Sequence, residues 1–355
     1  MKHFQRQLKQ TILPYLNRGR AIIIYGPRRV GKTTLAREFI SRYAKHTYFD
    51  CDLGSVRQIL SQQEIEPLKS SISSAELVII DEAQRIKNIG LTIKIIHDHA
   101  LCKQLIVTGS SSLELANTIN EPLTGRKLIF QLFPLSFSEI AADKQFLEQQ
   151  QLVRQLLLFG SYPEVINKTL PPQTILHELT EGYLYKDILE LQQIKNPEKL
   201  TKLLQALAYQ VGAEVSYTEL ASLVGLDKNT IEHYIDLLEK SFIIFRLPPL
   251  SRNLRKGISK LRKIYFYDLG IRNSLLGNFT DLDIRSDKGA LWENFCIAER
   301  IKQQQDAQLE MKNYFWRLYT GAEVDWVEEN EGKLAGFEFT WKGKKQKPAS
   351  WAEIF

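Results

Sequence analysis

The chain has 355 residues, 44% of them hydrophobic and 25% charged, with 19 Gly and 12 Pro. That length predicts two or three domains, each with its own core, and the composition excludes collagenous, mucin-like and wholly disordered chains. Lys and Arg number 47 against 41 Asp and Glu, a formal charge of +6, which permits an acidic partner without demanding one.

The three cysteines, Cys51, Cys102 and Cys296, lie far apart with no paired spacing, which argues against a disulfide framework and against a zinc cluster. Residues 1–10 lack the apolar core of a secretory signal, and no stretch approaches the ~20 apolar residues of a membrane span. The expectation is a soluble cytoplasmic protein with no membrane partner.

Ala21-Ile22-Ile23-Ile24-Tyr25 is an apolar, β-branched run ending at Gly26, and residues 32–40 follow with helical spacing of Leu35, Ala36, Phe39 and Ile40. Further strand-like runs fall at 47–49, 77–80, 105–108 and 127–132, separated by segments long enough for helices. This alternation predicts an α/β domain over residues 1–135, a mostly parallel sheet with helices on both faces. Residues 136–195 read as a helical lid or linker. Over 196–285, Ser216 and Glu219 fit a capping box opening a helix closed by Gly225, a second helix begins after Asp227, and two strands flank a basic loop. That order predicts a winged helix-turn-helix. Residues 286–355 read as a small α/β unit with one helix and strands near 314–319, 323–327 and 335–341.

Gly26-Pro27-Arg28-Arg29-Val30-Gly31-Lys32-Thr33 satisfies the phosphate-loop pattern G-x-x-x-x-G-K-[ST], between a buried strand and a helix. Backbone N–H groups of such a loop, through Thr34 in the first helical turn, meet phosphate oxygens. Lys32 supplies charge to the β- and γ-phosphates, and the Thr33 hydroxyl ligates Mg2+. Leu77-Val78-Ile79-Ile80-Asp81-Glu82 is a buried strand ending in two carboxylates. Asp81 fits the metal's water shell and Glu82 fits the general base. No guanine-specific signal is present, so ATP is the expected nucleotide. Leu105-Ile106-Val107-Thr108-Gly109 leads to Ser110 and Ser111, either of which suits a γ-phosphate sensor. Arg126 is a candidate for contacting transition-state charge, in its own subunit or a neighbour's.

These residues, with Asp81-Glu82-Ala83-Gln84, Leu123-Thr124-Gly125-Arg126, Phe133-Pro134-Leu135-Ser136-Phe137, Gly160-Ser161-Tyr162-Pro163-Glu164, Lys263-Ile264-Tyr265-Phe266-Tyr267-Asp268 and Gly289-Ala290-Leu291-Trp292-Glu293-Asn294, resemble a group of prokaryotic AAA-type ATPases. That group carries a winged helix and a C-terminal segment like the PD-(D/E)xK nucleases. The resemblance covers nearly the whole chain. It implies an ATPase of the additional-strand, catalytic-glutamate branch, with Lys32, Thr33, Asp81, Glu82, Ser110 or Ser111, and Arg126 in the family's roles. In the nuclease-like segment it implies Glu293, Asp325 and Glu338 at the metal. Thr340 stands where the active pattern has Lys, with Lys342 two residues on, so the resemblance implies a degenerate domain.

Arg252, Arg255, Lys256, Lys260, Arg262 and Lys263 form a basic stretch in the presumed wing, suited to DNA phosphates while the helix over 228–240 enters a groove. Glu232, Asp236 and Glu239 on that helix oppose this unless they face away. His97 and His99 do not share a helix face and suit a surface better than a metal. The reading is a Mg2+-dependent ATPase coupled to a DNA-binding winged helix, compatible with a homo-oligomer. Two alternatives stay open: a nucleotide-regulated switch for a protein partner, and an ATP-coupled metal-dependent nuclease.

Overall fold

Uninterrupted β-branched and aliphatic runs build a sheet buried on both faces. The computed structural model describes residues 2–110, 123–182, 196–250, 262–318 and 322–341. Strands β1 (Ala21–Tyr25), β2 (His46–Asp50), β3 (Leu77–Asp81), β4 (Gln104–Gly109) and β5 (Lys127–Gln131) pair in parallel in the order β2-β3-β4-β1-β5. The central β3 and β4 are buried along their whole length, whereas β2 and β5, at the edges, are partly exposed.

Period-two alternation divides these strands between two cores. Ile22, Ile24, Leu77, Ile79 and Ile106 face one side, against Leu35 and Phe39 of the segment that contains α2 (Lys32–Glu38). Ile23, Val78, Ile80, Leu105 and Val107 face the other, under α3 (Gly54–Ser61), α4 (Ile65–Ile72) and α5 (Ile89–Asp98). Each fully buried Ile or Leu contributes about 1.5–3 kcal/mol, and a one-residue slip would exchange the two faces, so register is firmly set.

A helical region follows, with short α6 (Phe137–Ala141) and longer α7 (Phe146–Phe159), then α8 (Pro163–Asn167) and α9 (Pro172–Gly182). Ser136 and Glu139 cap α6 reciprocally. Next come α10 (Pro197–Tyr209), β6 (Glu214–Val215), α11 (Tyr217–Val224) and α12 (Lys228–Lys240), the last two joined at Gly225 in the left-handed conformation. Ser216 accepts the Glu219 N–H at 3.4 Å and Asp227 accepts the Thr230 N–H at 3.0 Å. Antiparallel β7 (Ile244–Leu247) and β8 (Arg262–Phe266) complete a sheet ordered β6-β8-β7. The chain continues through α13 (Leu269–Leu276) and α14 (Lys288–Asp306) to an antiparallel sheet of β9 (Lys312–Arg317), β10 (Glu323–Asn330) and β11 (Lys333–Phe337). The last strand stops at Phe337 instead of running on through Trp341. The Phe339 N–H is taken by the Asp325 carboxylate at 2.9 Å rather than by a ladder carbonyl.

The two halves meet at an aromatic cluster. Tyr25, the last residue of β1, lies 5.7 Å from Phe242, which lies 5.9 Å from Phe133, and Phe133 stacks on Tyr267 at 4.9 Å. Phe242 holds φ at +59°, an unusual conformation for a bulky side chain. Among the described residues no helix is long and apolar enough to cross a membrane.

At the end of α14, burial pushes the Asp306 carboxyl up to about 7, with Glu139 and Glu299 raising it further and Arg6 and Lys302 opposing. An unfolded Asp titrates near 3.9, so the fold favours the protonated form. Its contribution to stability is full below about pH 4 and is lost as pH rises through 7. In thermal melts, Asp306→Asn should therefore be more stable relative to wild type at pH 8 than at pH 5.

Candidate functional site

Because β1, β3 and β4 run parallel, whatever follows each of them arrives at one edge of the sheet, where open α/β sheets bind ligands. Three sequence segments meet there. The loop of residues 26–31 leaves β1, Asp81 and Glu82 end β3, and Ser110 follows β4. The strand order puts β4 between the loop-bearing strand and the acidic strand, so Thr108 lies between them.

Two glycines shape the loop. A Cβ on Gly26 would stand 2.0 Å from the Leu132 carbonyl oxygen, so only glycine lets the backbones pass. Gly31 holds φ at +98° as the N-cap of α2. Pro27 and Val30 are buried, Arg28 half-buried, and Arg29 and Thr34 exposed. Arg29 turns outward, pairing with Glu164 at 3.3 Å and Glu178 at 3.9 Å. The Lys32 ammonium, 4% exposed, donates to the carbonyls of Gly26 at 3.0 Å and Pro27 at 2.6 Å.

Asp81 is 4% exposed and collects hydroxyl donors from three elements. Thr33 Oγ1 reaches its two oxygens at 2.8 and 3.1 Å, Tyr48 donates from β2, and Thr108 from β4. Burial first, and then the bond to Asp81, raise the Tyr48 phenol well above its usual range, so it serves only as a donor. Glu82 adopts a left-handed φ of +52°, with its N–H on Thr108 Oγ1 at 3.2 Å. The Gln84 amide bridges the Glu82 carboxylate to Ser110, donating to Ser110 Oγ at 2.7 Å and accepting the Ser110 N–H at 3.2 Å. Lys32, Thr33, Asp81, Glu82 and Ser110 are thus gathered at one edge, while Ser111 lies outside the described residues.

Arg126 is not among them. The N–H of Ala21 bonds the Arg126 carbonyl at 2.9 Å, which fixes Arg126 at the opposite, amino-terminal edge, and its guanidinium pairs with Asp98 at 2.9 Å. Five strand residues at ~3.3 Å each separate it from its own phosphate loop. Asp98 also faces His97, whose other ring nitrogen meets the Gly19 carbonyl at 2.9 Å.

A cavity of about 210 Å3 adjoins the loop, with Val30, Gly31 and Thr34 on one wall and His3, Phe4 and Pro163 on another. Neither its N-terminal wall nor Tyr48 and Arg6 stood out in the sequence, and Gln84 appeared only as the end of the Asp81-Glu82-Ala83-Gln84 motif, with no role of its own. Thr108 did carry a signal, as the strand residue two before Ser110 and on the same face.

The expected DNA-contacting stretch is only partly described, since Arg252, Arg255, Lys256 and Lys260 lie outside the described residues. Arg262 is half-buried on β8. Lys263 corrects the expectation: its side chain is 4% exposed and turned inward, pairing with Glu293 at 3.1 Å and with Glu323. On α12, Asp236 and Glu239 are held by Arg246.

The C-terminal carboxylates also differ from expectation. Glu293 and Asp325 converge, but with Glu323 in place of Glu338, which is exposed beyond β11. An ammonium occupies their centre, and Tyr265 donates to Glu293 at 2.6 Å. Burial pulls the Lys263 ammonium down and the three carboxylates more than restore it. Burial and Glu293 push Asp325 up to about 6. Among the described residues no group of three His, Cys, Asp or Glu is arranged to hold a metal ion.

Residues 18–141 match the model of a family described as an AAA domain. Residues 150–282 and 288–353 match two families described as domains of unknown function. An uncharacterized protein of Mycobacterium tuberculosis is 28% identical over 335 residues, covering 91% of this chain and 70% of that protein. An uncharacterized protein of Methanocaldococcus jannaschii is 27% identical over 333 residues, covering 88% and 72%. The Walker-type ATPase of Pyrococcus abyssi overlays with a TM-score of 0.49 at 15% identity, covering 77% of this chain and 96% of that one.

Removing the buried cation should expose the mutual repulsion of its carboxylates. Lys263→Met is expected to lose about 3–5 kcal/mol in urea unfolding at pH 7.5. The loss should shrink near pH 5, as Asp325 protonates, and adding Glu293→Gln should recover part of it.

Proposed function

We propose that the chain is a Mg2+-dependent ATPase in which the nucleotide state of the P-loop domain drives an attached winged-helix module on DNA. The observation that carries the proposal is the 2.8 Å contact between Thr33 and Asp81, on the edge where Lys32 and Glu82 also end. A hydroxyl beside a carboxylate is a hard oxygen pair that suits a small divalent cation. Bound there, Mg2+ would supply charge neutralisation for the β- and γ-phosphates.

The chain's own residues divide the remaining work. Lys32 exchanges the carbonyls of Gly26 and Pro27 for phosphate oxygens, while Tyr48 and Thr108 hold Asp81 in a fixed orientation. Glu82 takes the proton of the attacking water, and Gln84 with Ser110 orients its carboxylate. The cavity beside Phe4 and Pro163 receives the nucleoside. Arg126, on the far edge, serves only a neighbouring copy's site in a homo-oligomer.

The winged-helix half of the proposal rests on α11, α12 and the β6-β8-β7 sheet. Contact with phosphates is assigned to Arg252, Arg255, Lys256 and Lys260, which lie between β7 and β8 in the sequence. Lys263 is withdrawn from that set because it is committed to buried carboxylates. The same ammonium, together with Thr340, disfavours the nuclease reading. Tyr25, at the mouth of the phosphate loop and against Phe242, offers the mechanical path between the two halves.

Lys32→Ala should abolish tight ATP binding, whereas Glu82→Gln should bind ATP as wild type does and lose at least about a hundredfold in turnover. Normal steady-state turnover by Glu82→Gln would remove that residue from the base role. For the module, the affinity for duplex DNA should fall steeply with salt, and neutralising Arg255 and Lys256 together should reduce the log–log slope by about two. No binding at low salt would favour a protein partner.

A further inference from the structure

A phosphate loop binds only if its amides already point inward, and part of what holds them lies 24 residues upstream of Val30. Arg6, just ahead of α1 (Gln7–Ile12), is 8% exposed and uses each branch of its guanidinium. One terminal nitrogen donates to the Val30 carbonyl at 2.6 Å, the other to the Phe133 carbonyl at 2.7 Å, and Nε to Glu139 Oε1 at 3.0 Å. The side chain therefore ties the back of the loop to the segment that leaves β5.

Glu139 is itself fixed. Its side chain is 1% exposed, its second oxygen accepts the Ser136 N–H at 2.9 Å, and the first also accepts the Gln7 N–H at 2.8 Å. A buried arginine set by a buried, doubly held carboxylate has little freedom to follow a moving loop, so the loop must conform to it. The consequence for Gly31 follows from peptide geometry. In a trans peptide the carbonyl and the next N–H point in opposite directions, so pinning the Val30 carbonyl toward Arg6 turns the Gly31 N–H away from it.

We propose that Arg6, oriented by Glu139, is a positioning residue for phosphate binding: it fixes the Val30–Gly31 peptide so that the Gly31 amide is presented to a phosphate oxygen. The inference rests on the reading of residues 26–33 as a triphosphate site. Arg6 touches no substrate. Its contribution is to remove the cost of ordering the loop when the phosphates arrive, which enters affinity directly. Lysine cannot replace it, because one ammonium cannot meet three acceptors spread around a planar fork.

The test is calorimetry on the full chain below its melting temperature, with ATP and with tripolyphosphate as a phosphate-only probe. Wild type, Arg6→Gln, Arg6→Lys, Glu139→Gln and Lys32→Ala are compared. Arg6→Gln should weaken both ligands by the same factor, about 10- to 100-fold, with the Arg6→Lys loss intermediate. If Arg6→Gln does not fold, Arg6→Lys and Glu139→Gln carry the measurement. A lowered melting temperature with both affinities within about twofold of wild type would make Arg6 a structural clamp and overturn the proposal. If wild type binds neither ligand, and Lys32→Ala is indistinguishable from it, the triphosphate site itself falls and the inference falls with it. Tight wild-type binding abolished by Lys32→Ala but untouched in the Arg6 variants would overturn the inference alone.

Discussion

The structure depends on one buried carboxylate. Asp81 ends the most buried part of the sheet, and its two oxygens draw hydroxyls from the start of α2, from β2 and from β4. A buried carboxylate without donors would cost several kcal/mol, so the sequence must deliver Thr33, Tyr48 and Thr108 to it, and that requirement aligns the C-terminal ends of the strands. The two-face division of the core enforces the same alignment from below. A register slip would bury polar residues and strand Asp81 at the same time.

Around this hub the site is closed from outside itself. Arg6 grips the loop's outer face, Leu132 leaves room only for glycine at position 26, and the aromatic cluster carries contact from Tyr25 through Phe242 to Tyr267 in the second half of the chain. A change in loop conformation therefore has two packed routes outward, one through the N-terminal segment and Glu139 to α6, the other through the rings. Packed interiors transmit such shifts because they have little free volume to absorb them.

What could be read from the sequence follows from the range of each interaction. The sheet and the phosphate loop were legible because their signals are local: an apolar run, a Gly-Lys-Thr spacing, a helix behind. Asp81 was legible because its strand is apolar throughout. Arg126 illustrates a signal present but not followed, since a residue just before a parallel strand must stand at the edge opposite the phosphate loop. Arg6 was out of reach because its acceptors lie 24, 127 and 133 residues away and nothing near it in sequence marks it. Lys263 misled for a related reason. It continues a basic run, yet it sits on a strand whose inward face meets carboxylates from α14 and β10, and only the tertiary fold brings those together. Glu338 lies just past the end of β11 at Phe337 and is exposed, whereas Glu323, on β10, faces the Lys263 ammonium.

The most direct measurement is a crystal structure of the chain with Mg2+ and a non-hydrolysable ATP analogue. Lys32 should leave the carbonyls of Gly26 and Pro27 for the β- and γ-phosphates, with the metal between Thr33 and Asp81 and the base in the cavity beside Phe4. Phosphates seated anywhere else, or a Lys32 still bonded to its own loop in the fully occupied complex, would contradict the account.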